Sequence, residues 1–384
     1  MPKLTWKSSG ALLLSLLVLS AMILVFPAAA QEETPTPAPA EQSTGAVSLR
    51  AEPAFDGNFK YGEWLPIWVE LENDGPDIHA EVRVTVSTNA GALVYAAPVS
   101  LPNGARKRLP LFVLPKNFSR ELVVEVINTG IDGTAGDSGP IEASVKVKVK
   151  LHPNITFLVG LVAPQQSTLS LIQGIEIPGQ RRPIELVEVG LEELPEKAEG
   201  LRSFDVLVLN DVDTSTLTPE QVTALEGWVR NGGRLVVGGG AGAQATAAGL
   251  SDALLVLRPT GDRQVDELPA LEVFSLGENP IRVPGPLLVA TGDTGQLAPA
   301  NLLAGEPDMP LVVETRLGNG LINWGALDIT QSPFDAWSGA TLFWQALLSP
   351  GAAYPDYRPA DISASRRVAS HCIWRISSGQ VLLM

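Results

Sequence analysis

Cysteine is almost missing from this 384-residue chain, where Cys372 stands alone. A single thiol excludes an internal disulfide framework and a zinc site built from several cysteines. Histidine is nearly as scarce: His79, His152 and His371 lie far apart in sequence. Chemistry that needs an imidazole beside a nucleophile therefore has few starting points. Positive charge is also short, with 27 Lys and Arg against 42 Asp and Glu for a formal charge of −15. No basic face is offered to phosphates, which argues against nucleic acid as a partner. Adsorption to an anionic membrane surface is disfavoured for the same reason.

What is present is enough apolar material, 45% of residues, to build cores for two domains of ordinary size. Residues 1–30 read as a secretory signal. Lys3 and Lys7 give a positive start, Ala11 to Phe26 is apolar, and Ala28-Ala29-Ala30 offers a cleavage site. That run of about 16 residues is shorter than the roughly 20 a membrane-crossing helix needs. Cleavage after Ala30 is expected, with an uncleaved anchor as the alternative. Either outcome sends the rest of the chain out of the cytoplasm, where nucleotide cofactors are scarce, and no cofactor is expected. Residues 31–45 (QEETPTPAPAEQSTG) read as a Pro-rich disordered linker.

Residues 46–150 carry period-two alternation. Leu65, Ile67, Val69 and Leu71 form one such series, and Val82, Val84 and Val86 another. Val145, Val147 and Val149 alternate with Lys146, Lys148 and Lys150, the pattern of a half-solvated strand. About seven short strands with turn signals point to an immunoglobulin-like β-sandwich. Trp64 and Trp68, four apart on one strand face, read as core anchors rather than a glycan platform. Asn117-Phe118-Ser119 and Asn154-Ile155-Thr156 match the glycosylation sequon, a short pattern common by chance.

From residue 151 to 350 strands and helices alternate, so the fold class is multi-domain, β followed by α/β. The clearest unit runs from Phe204 to Gly242. The runs Asp205 to Leu209 and Leu235 to Val237 lack polar alternation, as in parallel strands buried on both faces. Between them Thr218 with Gln221 forms a capping box, Pro219 opens a helix, and Asn231-Gly232-Gly233 ends it. Val222, Leu225 and Val229 mark its apolar face. A hairpin, Leu311 to Arg316 with Leu321 to Leu327, turns on Leu317-Gly318-Asn319-Gly320, where Asn-Gly tolerates positive φ, and a helix from Trp337 to Leu348 closes the domain. Residues 351–384 hold the lone cysteine without amphipathic period. They read as a disordered tail, or as a segment appended by a shifted frame near Asp361 to a chain whose continuation is a membrane anchor.

Candidate chemistry gathers where the strands of this unit end, the place ligands favour on open α/β sheets. Asn210, Asp211, Asp213, Gly238, Gly239 and Gly240 are the candidate pocket residues. Gly240, Gly242 and Ala245 loosely fit G-x-G-x-x-A, but no acidic residue follows at the spacing a dinucleotide site requires. A tight strand-to-helix turn accounts for them. Asp211-Val212-Asp213 resembles the first motif of haloacid-dehalogenase phosphatases, and aspartates capping a turn are the simpler reading.

Through VLVLND, LTPEQVTALEGWVRNGGRLVVGGG and GNGLINWGALD, residues 153–350 resemble class I glutamine amidotransferase-like domains of bacterial membrane-attached and surface proteins. KYGEWLPIWVELEN and NFSRELVVEV resemble the β-sandwich that precedes such a domain. The resemblance implies a Rossmann- or flavodoxin-like layering and a catalytic cysteine on the elbow at Val237 to Gly242, paired with histidine. This chain has only glycine and alanine at that elbow and no histidine between His152 and His371. The expectation is a pseudoenzyme with no catalytic residue and no metal. It would bind an unidentified protein or glycan at the cell surface, held to the membrane by its N-terminal segment or a C-terminal anchor. The alternatives are a metal-dependent hydrolase using Asp211 and Asp213, and a glycan binder. Expression in a secreting bacterial host, followed by N-terminal sequencing of exported protein, is expected to read from Gln31; an intact Met1 in the cytoplasm would overturn the signal assignment.

Overall fold

The computed structural model describes residues 40–348 apart from 45, 90, 131–138, 165–169, 177–182, 272–286, 294–299, 331–333, 335–336 and 338. The expected signal and tail lie outside these residues, as does most of the linker. Among the described residues the structure is rich in β-sheet, arranged in several sheets. No described helix is long and apolar enough to cross a membrane.

The first strands are β1 (Ala40–Thr44), β2 (Val47–Pro53), β3 (Asn58–Lys60), β4 (Leu65–Asn73) and β5 (Ile78–Thr88). They are followed by β6 (Gly91–Leu101), β7 (Ala105–Val113), β8 (Glu121–Asn128), β9 (Ile141–Lys148) and β10 (Lys150–His152). Two antiparallel four-stranded sheets, β1-β2-β4-β7 and β6-β5-β8-β9, enclose one apolar core. The alternation sorts the side chains as the pleat demands. Leu65, Ile67, Val69 and Leu71 face inward with Val82, Val84, Val124 and Val145, while Lys146 and Lys148 face water. Ala40–Thr44, expected in the linker, instead pairs with β2 from Ala40↔Ala51 to Thr44↔Val47. An edge strand's free N–H and C=O groups favour pairing even for a polar segment.

The second part contains β11 (Phe157–Val162), helix α1 (Ser170–Gln173), β12 (Ile184–Glu188), β13 (Val206–Asn210), α2 (Pro219–Arg230) and β14 (Arg234–Gly238). Then come α3 (Ala243–Ala248), β15 (Arg258–Val265), β16 (Leu287–Asp293), β17 (Asn301–Glu306), β18 (Met309–Leu317), β19 (Gly320–Gly325) and α4 (Ala340–Leu348). Seven strands form one sheet in the order β12-β11-β13-β14-β19-β18-β17. The first five run parallel; β18 and β17 add an antiparallel edge. Every residue of β13 and β14 is buried, which is why neither alternates.

Helix α2 forms as its signals dictate. The Thr218 hydroxyl accepts from the Gln221 N–H, and the Gln221 side chain accepts in return from the Thr218 N–H. Its buried face is Gln221, Ala224, Leu225, Trp228 and Val229, with Val222 only partly covered. Gly233 lies flat on the Trp228 ring, where an added Cβ would sit 2.3 Å from a ring atom. Two expectations shift in detail. The hairpin turns on Leu317-Gly318-Asn319-Gly320 as expected, with Leu317 paired to Gly320, but the positive φ (61°) falls on Gly318 rather than on the Asn-Gly step. A two-residue loop takes its glycine at the first central position when only that residue needs positive φ. The closing helix starts at Ala340 rather than Trp337.

The expected boundary at 150/151 separates two cores but not two independent bodies. Phe55, Asp56 and Gly57 carry successive positive φ values of 61°, 50° and 76°. This turn swings Phe55 out of the sandwich and into the core of the seven-stranded sheet, edge-on to Phe204 at 4.9 Å between centroids. The Phe55 N–H donates to Glu193 Oε1 (3.2 Å). Lys60 forms an ion pair with Asp205, whose carboxylate also accepts from the Leu158 N–H (2.8 Å). Trp68 is not a sandwich anchor. It packs on the outside, against the second core, under Arg108 at 4.6 Å. Trp64 precedes β4 and meets Tyr95 edge-on. Replacing Phe55 by Ala should destabilise the protein by about 3–5 kcal/mol, as for other buried Phe→Ala changes. In urea denaturation, a double-mutant cycle with Phe204→Ala should recover a coupling of roughly 0.5–1.5 kcal/mol; independent effects would remove the wedge from its role.

Candidate functional site at the strand ends

Strands β13, β14 and β19 are parallel neighbours, so Asn210, Gly238 and the residues after Gly325 arrive at one edge together. Asn210 is fully buried and is the hub. Its Nδ2 donates to Asp328 Oδ1 (2.8 Å) and Thr330 Oγ1 (3.0 Å), and its Oδ1 accepts from the Ile329 N–H (3.3 Å). Asp328 Oδ1 accepts further from the Thr330 N–H (2.9 Å) and hydroxyl (2.8 Å). The Gly239 N–H reaches the Leu327 carbonyl (3.1 Å). Three strand ends are thereby tied by one polar cluster centred on Asn210 and Asp328 Oδ1.

The glycines are required by contact. A Cβ on Gly238 would stand 2.6 Å from Asn210 Oδ1, and one on Gly240 would stand 2.9 Å from the Asp328 nitrogen. Gly239 has φ 147° and Gly240 φ 50°, conformations open to glycine at little steric cost. The turn then enters α3, whose Thr246 hydroxyl accepts from the Val212 N–H (3.2 Å).

Asp211 carries φ 53°, one of three described non-glycine residues with positive φ; aspartate tolerates that region better than most residues. Its carboxylate fills the space beside Gly242, where a Cβ would lie 1.7 Å from Oδ1. Partial burial raises its pKa above the ordinary carboxylate value, and the Asp328 carboxylate raises it further. Asp213 turns away. It is exposed, and its side chain caps the short 3-10 turn Thr214–Thr216 by accepting from the Ser215 N–H (3.0 Å). Hydrogen bonding to the Ser215 hydroxyl, and then to its N–H, holds the Asp213 carboxyl below the ordinary value.

Five of the six expected residues therefore meet, and Asp213 does not join them. Asp211 faces Asp328 instead. Asp328 and Thr330 escaped the sequence reading, although Asp328-Ile329-Thr330 follows the last parallel strand and could have been found on that ground. Among the described residues no group of three or more His, Cys, Asp or Glu side chains is placed to hold a metal ion.

A family model described as "Domain of unknown function (DUF8726)" matches residues 46–148. The match stops at the sandwich. Its limits coincide with the span from β2 to β9. No curated protein matches the chain. Among solved structures the chain is similar to Cytoplasmic Protein STM1381 from Salmonella typhimurium LT2, at 19% identity and a TM-score of 0.37, covering 50% of this chain and 98% of that one. It is similar to Cytoplasmic Protein STM3548 from Salmonella typhimurium at 15% identity and a TM-score of 0.37, covering 59% and 95%. It is also similar to exo-beta-1,4-mannosidase Op5Man5 from Opitutaceae bacterium strain TAV5, at 15% identity and a TM-score of 0.32, covering 51% and 36%.

The raised pKa of Asp211, set by burial and then by the Asp328 carboxylate, has a pH signature. A carboxyl with a raised folded pKa costs stability above that pKa, and the cost vanishes as pH falls through it. Asp211→Asn keeps a residue suited to positive φ and removes the charge. Thermal melts should show a higher midpoint than wild type at pH 7, with the gap closing toward pH 4. An equal gap at both pH values would mean the charge is not the cause.

Proposed function

We propose that this chain is a non-catalytic, extracytoplasmic binding or assembly protein of the cell envelope. In this reading an immunoglobulin-like sandwich carries a degenerate class I glutamine amidotransferase-like domain of Rossmann- or flavodoxin-like layering, exported and held at the membrane by its N-terminal segment or by an anchor beyond the described residues. The layering is supported by five parallel strands joined through crossovers such as β13–α2–β14.

The observation that carries the non-catalytic reading is the elbow after β14. In the family this domain resembles, that elbow presents a nucleophile; here it is glycine, and Gly240 backs onto the Asp328 nitrogen with no room for a side chain. Asn210, the nearest buried polar group, is committed to Asp328, Thr330 and Ile329. Acyl transfer needs a nucleophile beside a base that is itself held by a third group. The polar cluster at the strand ends serves closure rather than chemistry. The separation of Asp211 from Asp213 weighs in the same direction against a two-aspartate hydrolase.

Glutamine, p-nitrophenyl phosphate and p-nitrophenyl ester turnover should stay at buffer level with and without Mg²⁺, Mn²⁺ or Zn²⁺, and Asp211→Asn should change nothing. Metal-dependent turnover abolished by Asp211→Asn would overturn the reading in favour of a hydrolase.

A further inference from the structure

A cavity of about 600 Å³ opens at the other end of the seven-stranded sheet, where β11, β13, β14 and β19 begin. Its walls carry three guanidinium groups, Arg202, Arg234 and Arg316, and two carboxylates, Glu63 and Asp205. Both carboxylates are engaged: Asp205 with Lys60 and the Leu158 N–H, and Glu63 with Arg202 at 3.2 Å. Arg234 and Arg316 have no ion-pair partner among the described residues. In a chain of net charge −15 two such arginines facing one cavity call for a reason.

Strand register brings them together. Arg234 pairs with Leu321 in the parallel ladder, and Leu321 pairs with Arg316 in the antiparallel one. Side-by-side residues of adjacent strands share a face, so the two arginines stand on one face about 10 Å apart, two strand spacings. Two arginine side chains are long enough to span that gap to a group placed between them.

Arg234 is the costly member. It is 8% exposed, and of its five N–H donors one reaches the Leu347 carbonyl. Burial pulls its pKa down, and the Glu314 carboxylate offsets part of that pull. Glu314 is itself bonded to Asn323 Nδ2 (3.1 Å) and makes no ion pair with Arg234. A buried cation without an anion beside it is unfavourable, and an anion arriving from solution relieves the cost. The planar guanidinium fork matches carboxylate and phosphate oxygens in pairs. Trp228 and Phe157 border the same cavity but are 3% and 8% exposed, so they offer it little apolar surface.

We propose that this cavity binds a small molecule through an oxyanion group, a carboxylate or a phosphate, held between Arg234 and Arg316. The site is independent of the strand-end cluster and of the non-catalytic reading built on it.

The test is titration of the full chain with pyrophosphate and, separately, with citrate, by calorimetry and tryptophan fluorescence. At least one anion should bind saturably at a single site, and which one binds decides between phosphate and carboxylate. Arg316→Gln, an exposed position, should leave the melting midpoint unchanged and weaken binding roughly tenfold or more, the scale of one charged hydrogen bond. Arg234→Lys, which keeps the charge but loses the fork, should weaken it too, and Arg106→Gln on the sandwich should not. Failure of both anions to bind at millimolar concentration overturns the proposal, as does equal affinity in wild type and Arg316→Gln.

Discussion

The structure depends on a wedge. Phe55 leaves the sandwich on three consecutive positive-φ residues and completes the core of the neighbouring sheet against Phe204. Around it the Lys60–Asp205 ion pair, the bond from the Lys60 N–H to Ser203 Oγ (3.2 Å) and the parallel pairing of β10 with β3 fix the angle at which the two parts meet. A buried ion pair adds little net stability, because desolvation consumes most of its attraction. Its effect is geometric: Lys60 has one well-placed partner, and Asp205 is held at the start of β13 by the Leu158 N–H. The apolar contact supplies the energy and the polar contacts supply the register.

That junction gives the seven-stranded sheet two unlike ends. At the carboxyl ends of the strands, where open parallel sheets usually receive ligands, the polar groups bond to one another and glycines close the remaining space. At the opposite end, beside the sandwich, Arg234 and Arg316 line a cavity and form no ion pair among the described residues, while Arg202 on the same wall pairs with Glu63. Satisfied polar groups hold a fold shut, whereas unpaired charge in a recess favours a ligand.

The candidate strand-end site was largely legible because it is built from local signals. Buried strands announce themselves by unbroken apolar runs, and glycines after them by the turn they permit. Asp213 was misplaced because sequence spacing says nothing of how a turn rotates: the positive φ at Asp211 sends the two carboxylates apart. Asp328 was missed because its partner Asn210 is 118 residues away. The arginine pair was invisible for the same reason, since Arg234 and Arg316 become neighbours only when β19 is placed between their strands.

The sequence by itself determined the periodicities, the capping box of α2, the glycine turn after β14 and the absence of a histidine from the second part. Each follows from local sterics or from composition. Only the tertiary structure decided that the presumed linker residues Ala40–Thr44 complete a sheet and that Trp68 serves the neighbouring core. It alone brought Asn210 to Asp328, and Arg234 to Arg316. Those outcomes turn on which strands become neighbours, and strand order is set by the packing of the whole chain rather than by any segment of it.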